Sequence, residues 1–202
     1  MNEKIELIDK ILEKEWTYFS TLNNIGGRAD CQDNKEDFII MRKSQWLTFD
    51  LKTLNSYFQD LNSFENPLLE KYARMMKYNS PDEYEKIKNS LKKVSAYKEI
   101  LINKIMTLYI EWVEEFAARF PVYSSMGRPL YSFQDSEEDT SIETYLRGEL
   151  YSYSEKTLEY YWNHMIKAKE NHKNLVIENM DNIAQLQGFK NSEDVEIYFK
   201  NK

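Results

Sequence analysis

Apolar residues recur every three or four positions along most of the chain, which is the spacing of one face of an α-helix. Glycine and proline are scarce, at 5 and 4 of 202 residues, and no stretch shows the strict alternation of a half-buried strand. The pattern predicts an all-α protein. The two clearest apolar faces are formed by Ile5, Ile8, Leu12, Trp16 and Phe19, and by Leu101, Ile105, Leu108, Trp112 and Phe116.

Small polar residues stand where several of these patterns begin, as expected for helix N-caps. The stretches without a helical pattern are 23–35 and 120–139, and the second exceeds the usual length of a loop inside a domain. Helix starts are predicted at Asp50, Ser80, Ser154 and Ser192.

The two halves of the chain resemble each other, and the resemblances come in the same order. The pair "EW" at 15–16 recurs at 111–112, and "FDLKTLNSYFQDL" (49–61) aligns without gaps on "YSEKTLEYYWNHM" (153–165). Each half alone is a small helical unit whose apolar face can be buried against its twin. We therefore predict one single-domain helical bundle over 1–202, built from two diverged repeats, 1–94 and 95–202, that are related by a pseudo-twofold axis.

Composition and charge narrow the range of partners. The formal net charge is −7 and the lysines are scattered, which argues against a nucleic-acid partner. No stretch approaches the roughly 20 apolar residues of a membrane span, and the first residues are charged and amphipathic. Cys31 is the only cysteine, so no internal disulfide can form. These features predict a cytoplasmic protein with no nucleic-acid or membrane partner.

Each half also carries a glycine-arginine loop that a Gln-Asp pair follows. The first is "GGRADCQDN" (26–34) and the second begins with "GRP" (127–129). In a pseudo-twofold arrangement, the two loops would approach the axis from opposite sides, and Gly26, Gly27 and Gly127 would let the backbone come close to a ligand. The shared cleft would then contain Arg28, Gln32, Asp33, Arg128, Gln134 and Asp135.

Two further arginines, Arg42 in "MRKSQW" and Arg147 in "TYLRGEL", lie beside apolar or aromatic neighbours. A guanidinium in such surroundings needs a carboxylate or phosphate partner. We predict a cleft for a small anionic or zwitterionic ligand, formed by Glu15, Arg28, Gln32, Asp33, Arg42, Glu111, Arg128, Gln134, Asp135 and Arg147. The alternative is that Glu15 and Glu111 pair with the arginines in structural ion pairs that bind nothing.

Cys31 is the one candidate nucleophile, since Arg28 or the start of the next helix would favour its thiolate. Cysteine catalysis needs a base, and the only histidines, His164 and His172, come far along the chain in a polar helical stretch. A buried structural or loop cysteine that reacts slowly with thiol reagents is the favoured interpretation. No Glu-x-x-His pairs or zinc-ligand spacing occur, so neither a metal nor a cofactor is predicted. A carboxylate-only magnesium site that uses Glu15, Asp33, Glu111 or Asp135 stays open, and it would need phosphate oxygens from a ligand.

Several motifs together resemble the DUF4125 family of bacterial proteins over essentially the whole chain. They are "NNIGGRADCQD" (23–33), "IMRKSQW" (40–46), "EKYARMM" (70–76), "EWVEEFAARFP" (111–121), "GRP" (127–129) and "DTSIETYLRGELYSYSEKTL" (139–158). The resemblance implies a soluble bacterial protein with no established activity, so it assigns no role to any residue.

Three functions fit these observations. The first is an enzyme or small-molecule binder with one arginine-lined cleft between the repeats. The second is a non-catalytic module that engages another protein. The third is a helical domain that is accessory to a separate catalytic protein. Arginines with spare donors would favour the first, whereas fully paired arginines would favour the other two.

Overall fold

The computed structural model describes residues 3–22, 27–28, 30–62, 66–136 and 139–202. These ranges contain α-helices and short 3-10 turns but no strand, which confirms the all-α prediction. The α-helices are α1 (Glu3–Ser20), α2 (Lys35–Thr48), α3 (Leu51–Leu61), α4 (Pro67–Asn79), α5 (Pro81–Ile87), α6 (Ala96–Arg119), α7 (Pro121–Ser125), α8 (Ile142–Ser152), α9 (Glu155–Glu170), α10 (Leu175–Leu186) and α11 (Ser192–Lys200).

Most of the polar residues at which the sequence predicts a helix start also lie at a helix start in the structure. Asp50 caps α3 and Ser154 caps α9, each by accepting a hydrogen bond from a backbone N–H in the first turn. Ser80 precedes α5 without a side-chain bond. The cap of α11 is Asn191 rather than Ser192, because the Ser192 hydroxyl donates instead to Asp181 Oδ1 at 2.6 Å.

The two stretches without a helical pattern are more structured than predicted. The 120–139 stretch contains α7 and a 3-10 turn at Ser132–Gln134. The 23–35 stretch contains a 3-10 turn at Asp30–Gln32. A helix as short as α7 spans too few turns to show an apolar period, and its start relies on Pro121 at the first helical position.

The aligned segments 49–61 and 153–165 contact each other in a reciprocal way. The ring of Phe49 stacks on Tyr161 at 4.3 Å between centroids, and its counterpart Tyr153 packs on Tyr57 at 4.9 Å. The backbone conformations match as well, with φ and ψ of −81° and 149° at Phe49 and −80° and 149° at Tyr153. Equivalent residues therefore exchange equivalent contacts.

A second reciprocal exchange involves two polar positions that the alignment pairs. Asp60 on α3 accepts from Ser154 N at 2.9 Å at the start of α9. Its counterpart His164 on α9 donates from Nε2 to the Thr48 carbonyl at 2.8 Å, next to the start of α3. His164 is half-buried. The hydrogen-bond partner of His164 is Thr48 rather than Asp50, the counterpart of Ser154, so this exchange is only approximate. A duplication over the whole chain stays a prediction.

One hydrophobic cluster contains buried side chains from both halves, with Trp46, Phe49 and Leu54 in the first and Leu150 and Leu158 in the second. Among the helices that the structure describes, none is long and apolar enough to cross a membrane. The packing of α4 against α8 and of α2 against α10 brings helices from opposite halves together. Polar side chains on α2, α4 and α8 therefore meet inside the protein.

The approach of α4 to α8 depends on Gly148, which lies inside α8. A Cβ at this position would lie 2.6 Å from Met75 Cγ and 2.9 Å from the Lys71 carbonyl oxygen. The second atom belongs to the backbone and cannot rotate away. Glycine is otherwise unfavourable inside a helix, so its presence here reflects the close contact.

Replacing Gly148 with alanine should lower the free energy of unfolding by about 1–3 kcal/mol, because overpacking forces the two helices apart. Alanine's better helix propensity offsets at most about 1 kcal/mol of this loss. Urea denaturation measures the difference. Gly127→Ala is the matched control, since a Cβ there would meet only Ser124 O at an ordinary 3.5 Å. Equal stability of the two variants would contradict the role of Gly148.

Candidate functional site

A network of four charged side chains lies in the interior, where α1, α2, α4 and α8 supply one residue each. Its acids are Glu15 and Glu149 and its bases are Arg42 and Lys71, and all four are at most 9% exposed. Two negative and two positive charges balance. Buried charges are tolerated only when they are paired and hydrogen-bonded, so each of the two carboxylates requires hydrogen-bond donors around it.

Glu15 accepts from three different side chains. Arg42 donates from Nη2 to Oε1 at 2.5 Å and from Nε to Oε2 at 3.1 Å, which is a two-pronged ion pair. Trp46 Nε1 donates at 3.0 Å and the Tyr57 hydroxyl at 2.6 Å. The Arg42 guanidinium also lies over the Trp46 ring, 4.5 Å from its centroid. The motif "MRKSQW" thus supplies two of the partners of Glu15.

Glu149 joins the two bases. The Arg42 Nη1 donates to both of its oxygens at 3.0 Å, and Lys71 Nζ donates to Oε2 at 2.9 Å. Gln45 Nε2 at 3.1 Å and the Tyr153 hydroxyl at 2.7 Å complete the shell. Neither carboxylate is left without donors, so the network is closed on itself.

The pKa values follow from this pairing. Burial alone would raise the pKa of Glu149, but the charges of Arg42 and Lys71 outweigh it and hold that pKa well below its usual range. Burial alone would lower the pKa of Lys71, and the charge of Glu149 raises it instead. All three side chains are therefore ionised at neutral pH.

Side chains from both halves and from both glycine-arginine loops form a cluster beside this network, next to the contact of α4 with α8. We call it the α4–α8 mouth and define it by Cys31, Lys71, Tyr72, Arg128 and Tyr145. Lys71 Nζ lies 3.5 Å from the centroid of the Tyr145 ring, and the Arg128 guanidinium carbon lies 4.9 Å from the same centroid. Burial, together with the charges on the neighbouring Tyr145 and Cys31, raises the pKa of Tyr72 to about 12 against the opposing charge of Lys71.

The two loop arginines have different partners, although their sequences match. Asp33 pairs with Arg28, accepting from its Nε and Nη2 at distances of 2.7–3.1 Å. The matching Asp135 turns instead to α8, where it accepts from Ser141 N at 2.6 Å. Among the described residues, Arg128 donates to the Thr140 carbonyl alone, at 3.0 Å, and no described carboxylate lies within ion-pair distance of it.

Hydrogen bonds hold the described residues of the first loop in place. Besides pairing with Asp33, Arg28 donates to the carbonyls of Ser20 at 2.7 Å and of Gln32 at 3.1 Å. The buried Gln32 amide donates to the Phe19 and Leu22 carbonyls. Gly27 has a φ of 92°, which favours glycine. Gly26 lies outside the described residues. Arg28, Gln32 and Asp33 therefore act as a clasp for this loop.

The remaining predicted residues lie elsewhere, so the structure does not gather all ten into one cleft. Gln134 accepts from Tyr131 N within its own turn, at 2.9 Å. Glu111, the sequence counterpart of the buried Glu15, is exposed and pairs with Lys169 at 2.9 Å. Glu111 and Arg147 line an open groove of about 470 Å³ between α6 and α8. This groove lies within the second half of the chain rather than between the halves.

A comparison with known protein families gives one match, and it spans nearly the whole chain. The model described as a protein of unknown function, DUF4125, matches residues 5–197. The chain belongs to the DUF4125 family. No curated protein matches the chain, and no solved structure does either. The match confirms the resemblance that the motifs indicated, and it assigns no function to the chain.

Cys31 in this DUF4125 member is exposed, so the expectation of a buried cysteine was wrong. The physical reason lies in the 3-10 turn at Asp30–Gln32. Its buried position is taken by Gln32, which is 1% exposed, and this turns the preceding thiol outward. Neither histidine is paired with this thiol, since His164 bonds to Thr48 O and His172 follows the C-cap of α9, Asn171.

Native Cys31 should react fully with Ellman's reagent at neutral pH without denaturant, because an exposed thiol is accessible to the reagent. The measurement is the rate at which the reagent releases nitrothiobenzoate with folded protein against the rate with protein in urea, and Cys31→Ser is the blank. We expect similar rates. A thiol that reacts only after denaturation would contradict the exposed position.

Sequence reasoning missed Lys71 and Glu149, although both lie in family motifs, "EKYARMM" and "YLRGEL". The available signal was Gly148, since a glycine inside a helical pattern indicates a close helix contact. Within the part of the chain that the structure describes, no three His, Cys, Asp or Glu side chains are grouped so as to hold a metal ion. The site is thus built from ion pairs and phenols.

Proposed function

We propose that the protein binds a small anionic or zwitterionic ligand at the α4–α8 mouth. The observation that carries this proposal is the state of Arg128, which has no carboxylate partner among the described residues. Arg28, at the matching position, is paired with Asp33. Asp33 therefore neutralises the arginine of the first loop, whereas no described carboxylate neutralises the arginine of the second loop.

The hydrogen-bond donors around Arg128 support the same ligand. The Tyr72 and Tyr145 side chains are half-buried, and neither hydroxyl has a partner among the residues that the structure describes. With a pKa of about 12, Tyr72 keeps its proton at neutral pH and can donate. A guanidinium fork that stacks on one phenol, with a second phenol next to that one, matches a carboxylate or phosphate group.

The electrostatics also favour an anion. The interior network is neutral, so Lys71 and Arg42 contribute little net charge to the mouth and Arg128 sets its sign. Stacking on the Tyr145 ring fixes the plane of the guanidinium and lowers the entropy that binding would cost. The ligand would approach from the solvent side, since Arg128 is exposed. A cytoplasmic location belongs to the same proposal and rests on the sequence alone.

Inorganic phosphate at about ten times its dissociation constant should raise the melting temperature of the wild type by about 3–5 °C, since a ligand stabilises the state that binds it. Arg128→Ala should abolish this shift and keep the helical content. The matched control is Arg119→Ala, because Arg119 also stacks on a ring, Phe120, at 4.9 Å. Succinate at equal ionic strength tests carboxylates, and sodium chloride tests screening.

Two results would overturn the proposal. One is a wild type that neither phosphate nor succinate stabilises beyond the effect of sodium chloride. The other is an equal loss of the shift in Arg119→Ala, which would show that the anion acts through general surface charge. Tyr72→Phe should weaken the shift without removing it, because it deletes one donor and leaves Arg128 in place.

The alternative, a non-catalytic interaction module or accessory domain, is favoured by one observation. Arg42 and Arg28 are fully engaged with partners in the protein, as structural ion pairs would be. This alternative predicts no stabilisation by any small anion, so the same thermal-shift measurement separates the two functions.

A further inference from the structure

We infer that the groove between α6 and α8 is a docking site for a partner protein segment that carries both basic and apolar side chains. This site is separate from the α4–α8 mouth and does not depend on anion binding there. We call it the α6–α8 groove. Its polar rim includes Glu111, Glu114, Glu143 and Arg147, and its floor includes Met106 and Ile110.

The shape of the groove suits an extended or helical segment. Its α6 side follows one helix face from Asn103 to Glu114, which is about three turns or roughly 16 Å. Met106 and Ile110 are one turn apart on that face. The volume of about 470 Å³ is open to solvent along this length. An apolar side chain of a partner can therefore lie on the floor between the two rims.

The charge of the rim selects the chemistry of the partner. Glu114 accepts from the Tyr131 hydroxyl at 2.5 Å, and Glu143 accepts from Ser132 N at 2.8 Å. Both donors are neutral, so neither carboxylate is compensated. Arg147 donates to the Asn103 amide oxygen at 2.9 Å and forms no ion pair with a described carboxylate. Glu111 is paired with Lys169, and Arg147 supplies one positive charge, so the rim keeps an excess of one negative charge, which a lysine or arginine side chain would neutralise.

An exposed aromatic pair lies at the end of the groove. Phe133 is 83% exposed, the highest value of the exposed large hydrophobic side chains in the described residues, and it stacks on Tyr131 at 5.3 Å. Tyr131 is the residue that bonds to Glu114 on the rim. Exposed aromatics beside a polar rim are typical of interfaces, where they supply much of the binding energy. The pair extends the groove's apolar surface towards solvent.

Other occupants fit less well. A nucleic acid or an anionic membrane would meet like charge at Glu114 and Glu143. A second copy of this chain carries the same net charge of −7, so two copies repel before they dock. A basic segment is attracted from a distance, and its apolar side chains then cover Ile110, which is half-buried, and Phe133, which is exposed.

The test is a selection from a displayed library of random peptides of about 12 residues, which is long enough for three helical turns. The wild type should enrich peptides that combine lysine or arginine with leucine, tryptophan or phenylalanine. Binding of a synthesised enriched peptide, measured by fluorescence anisotropy, should weaken at least fivefold in Phe133→Ala and about tenfold in the double variant Glu114→Gln/Glu143→Gln. The double variant should also lose most of the salt dependence.

Two exposed residues outside the α6–α8 groove serve as controls. Tyr198→Ala removes another exposed aromatic, and Glu170→Gln removes another exposed carboxylate; neither should change binding. The inference is overturned if no basic peptide is enriched, or if all variants bind the enriched peptide equally. It is also overturned if Phe133→Ala converts a dimer to a monomer in sedimentation, since the occupant would then be a second copy. Arg128→Ala should bind the peptide normally, which separates this site from the α4–α8 mouth.

Discussion

Glu149→Gln should lower the free energy of unfolding by about 3–5 kcal/mol at neutral pH, the usual cost of breaking a buried ion pair. The substitution keeps the shape of the side chain and removes its negative charge. That charge compensates Lys71, and together with the charge of Glu15 it compensates Arg42. A buried positive charge is then left over. Urea denaturation measures the loss, and Glu170→Gln, at an exposed position of α9, should be nearly neutral.

The same carboxylate gives this prediction a pH dependence. The folded pKa of Glu149 lies below its unfolded value, so its stabilisation is fully present above about pH 4.3 and is lost as the pH falls below that value. The wild type should lose stability in acid more steeply than Glu149→Gln, whose side chain does not titrate. Parallel acid profiles, or a loss at neutral pH under about 1 kcal/mol, would contradict the role of the network.

Trp46→Ala should cost about 3–5 kcal/mol, because it removes a fully buried indole. The ring stacks on Tyr57 at 4.5 Å between centroids, packs edge-on against Phe49 at 5.0 Å and supports the guanidinium of Arg42. Trp46→Phe keeps most of that packing and deletes only the Nε1 donor to Glu15. It should cost about 1–3 kcal/mol, the range for a buried acceptor that loses a partner.

The two variants together separate packing from hydrogen bonding, and equilibrium unfolding in urea measures both. Trp162→Ala is the control, since Trp162 is only half-buried and its loss should cost less. A Trp162→Ala variant less stable than Trp46→Ala would place the centre of the core elsewhere. Equal losses in Trp46→Phe and Trp46→Ala would show that the bond to Glu15 outweighs the packing.

The helical fold could be predicted from the sequence because its signals are local. Apolar spacing defines a helix face, and residues such as Asp50 and Ser154 cap helices through bonds to their own first turns. The prediction that Arg42 needs a carboxylate partner also follows from its chemistry. Local patterns could not identify Glu149 as a partner, because it lies over one hundred positions from Arg42 in the chain.

The candidate site was predictable only in part for the same reason. Matching sequences suggested that Glu111 would copy Glu15, yet only Glu15 faces the interior. Asp33 and Asp135 likewise match in sequence and differ in partner, because Asp135 bonds to the start of α8. Side-chain direction depends on how the helices pack, and a pairwise alignment of the halves contains no information about it.

The neutrality of the interior network has a consequence for how the molecule behaves at a distance. Since its two acids and two bases cancel, the formal charge of −7 is carried entirely by the other ionisable groups, most of them in contact with water. Their field extends about 8 Å at physiological ionic strength before salt screens it. Encounters in solution are therefore biased before any contact is made: copies of the chain are kept apart, and positively charged molecules arrive faster than neutral ones.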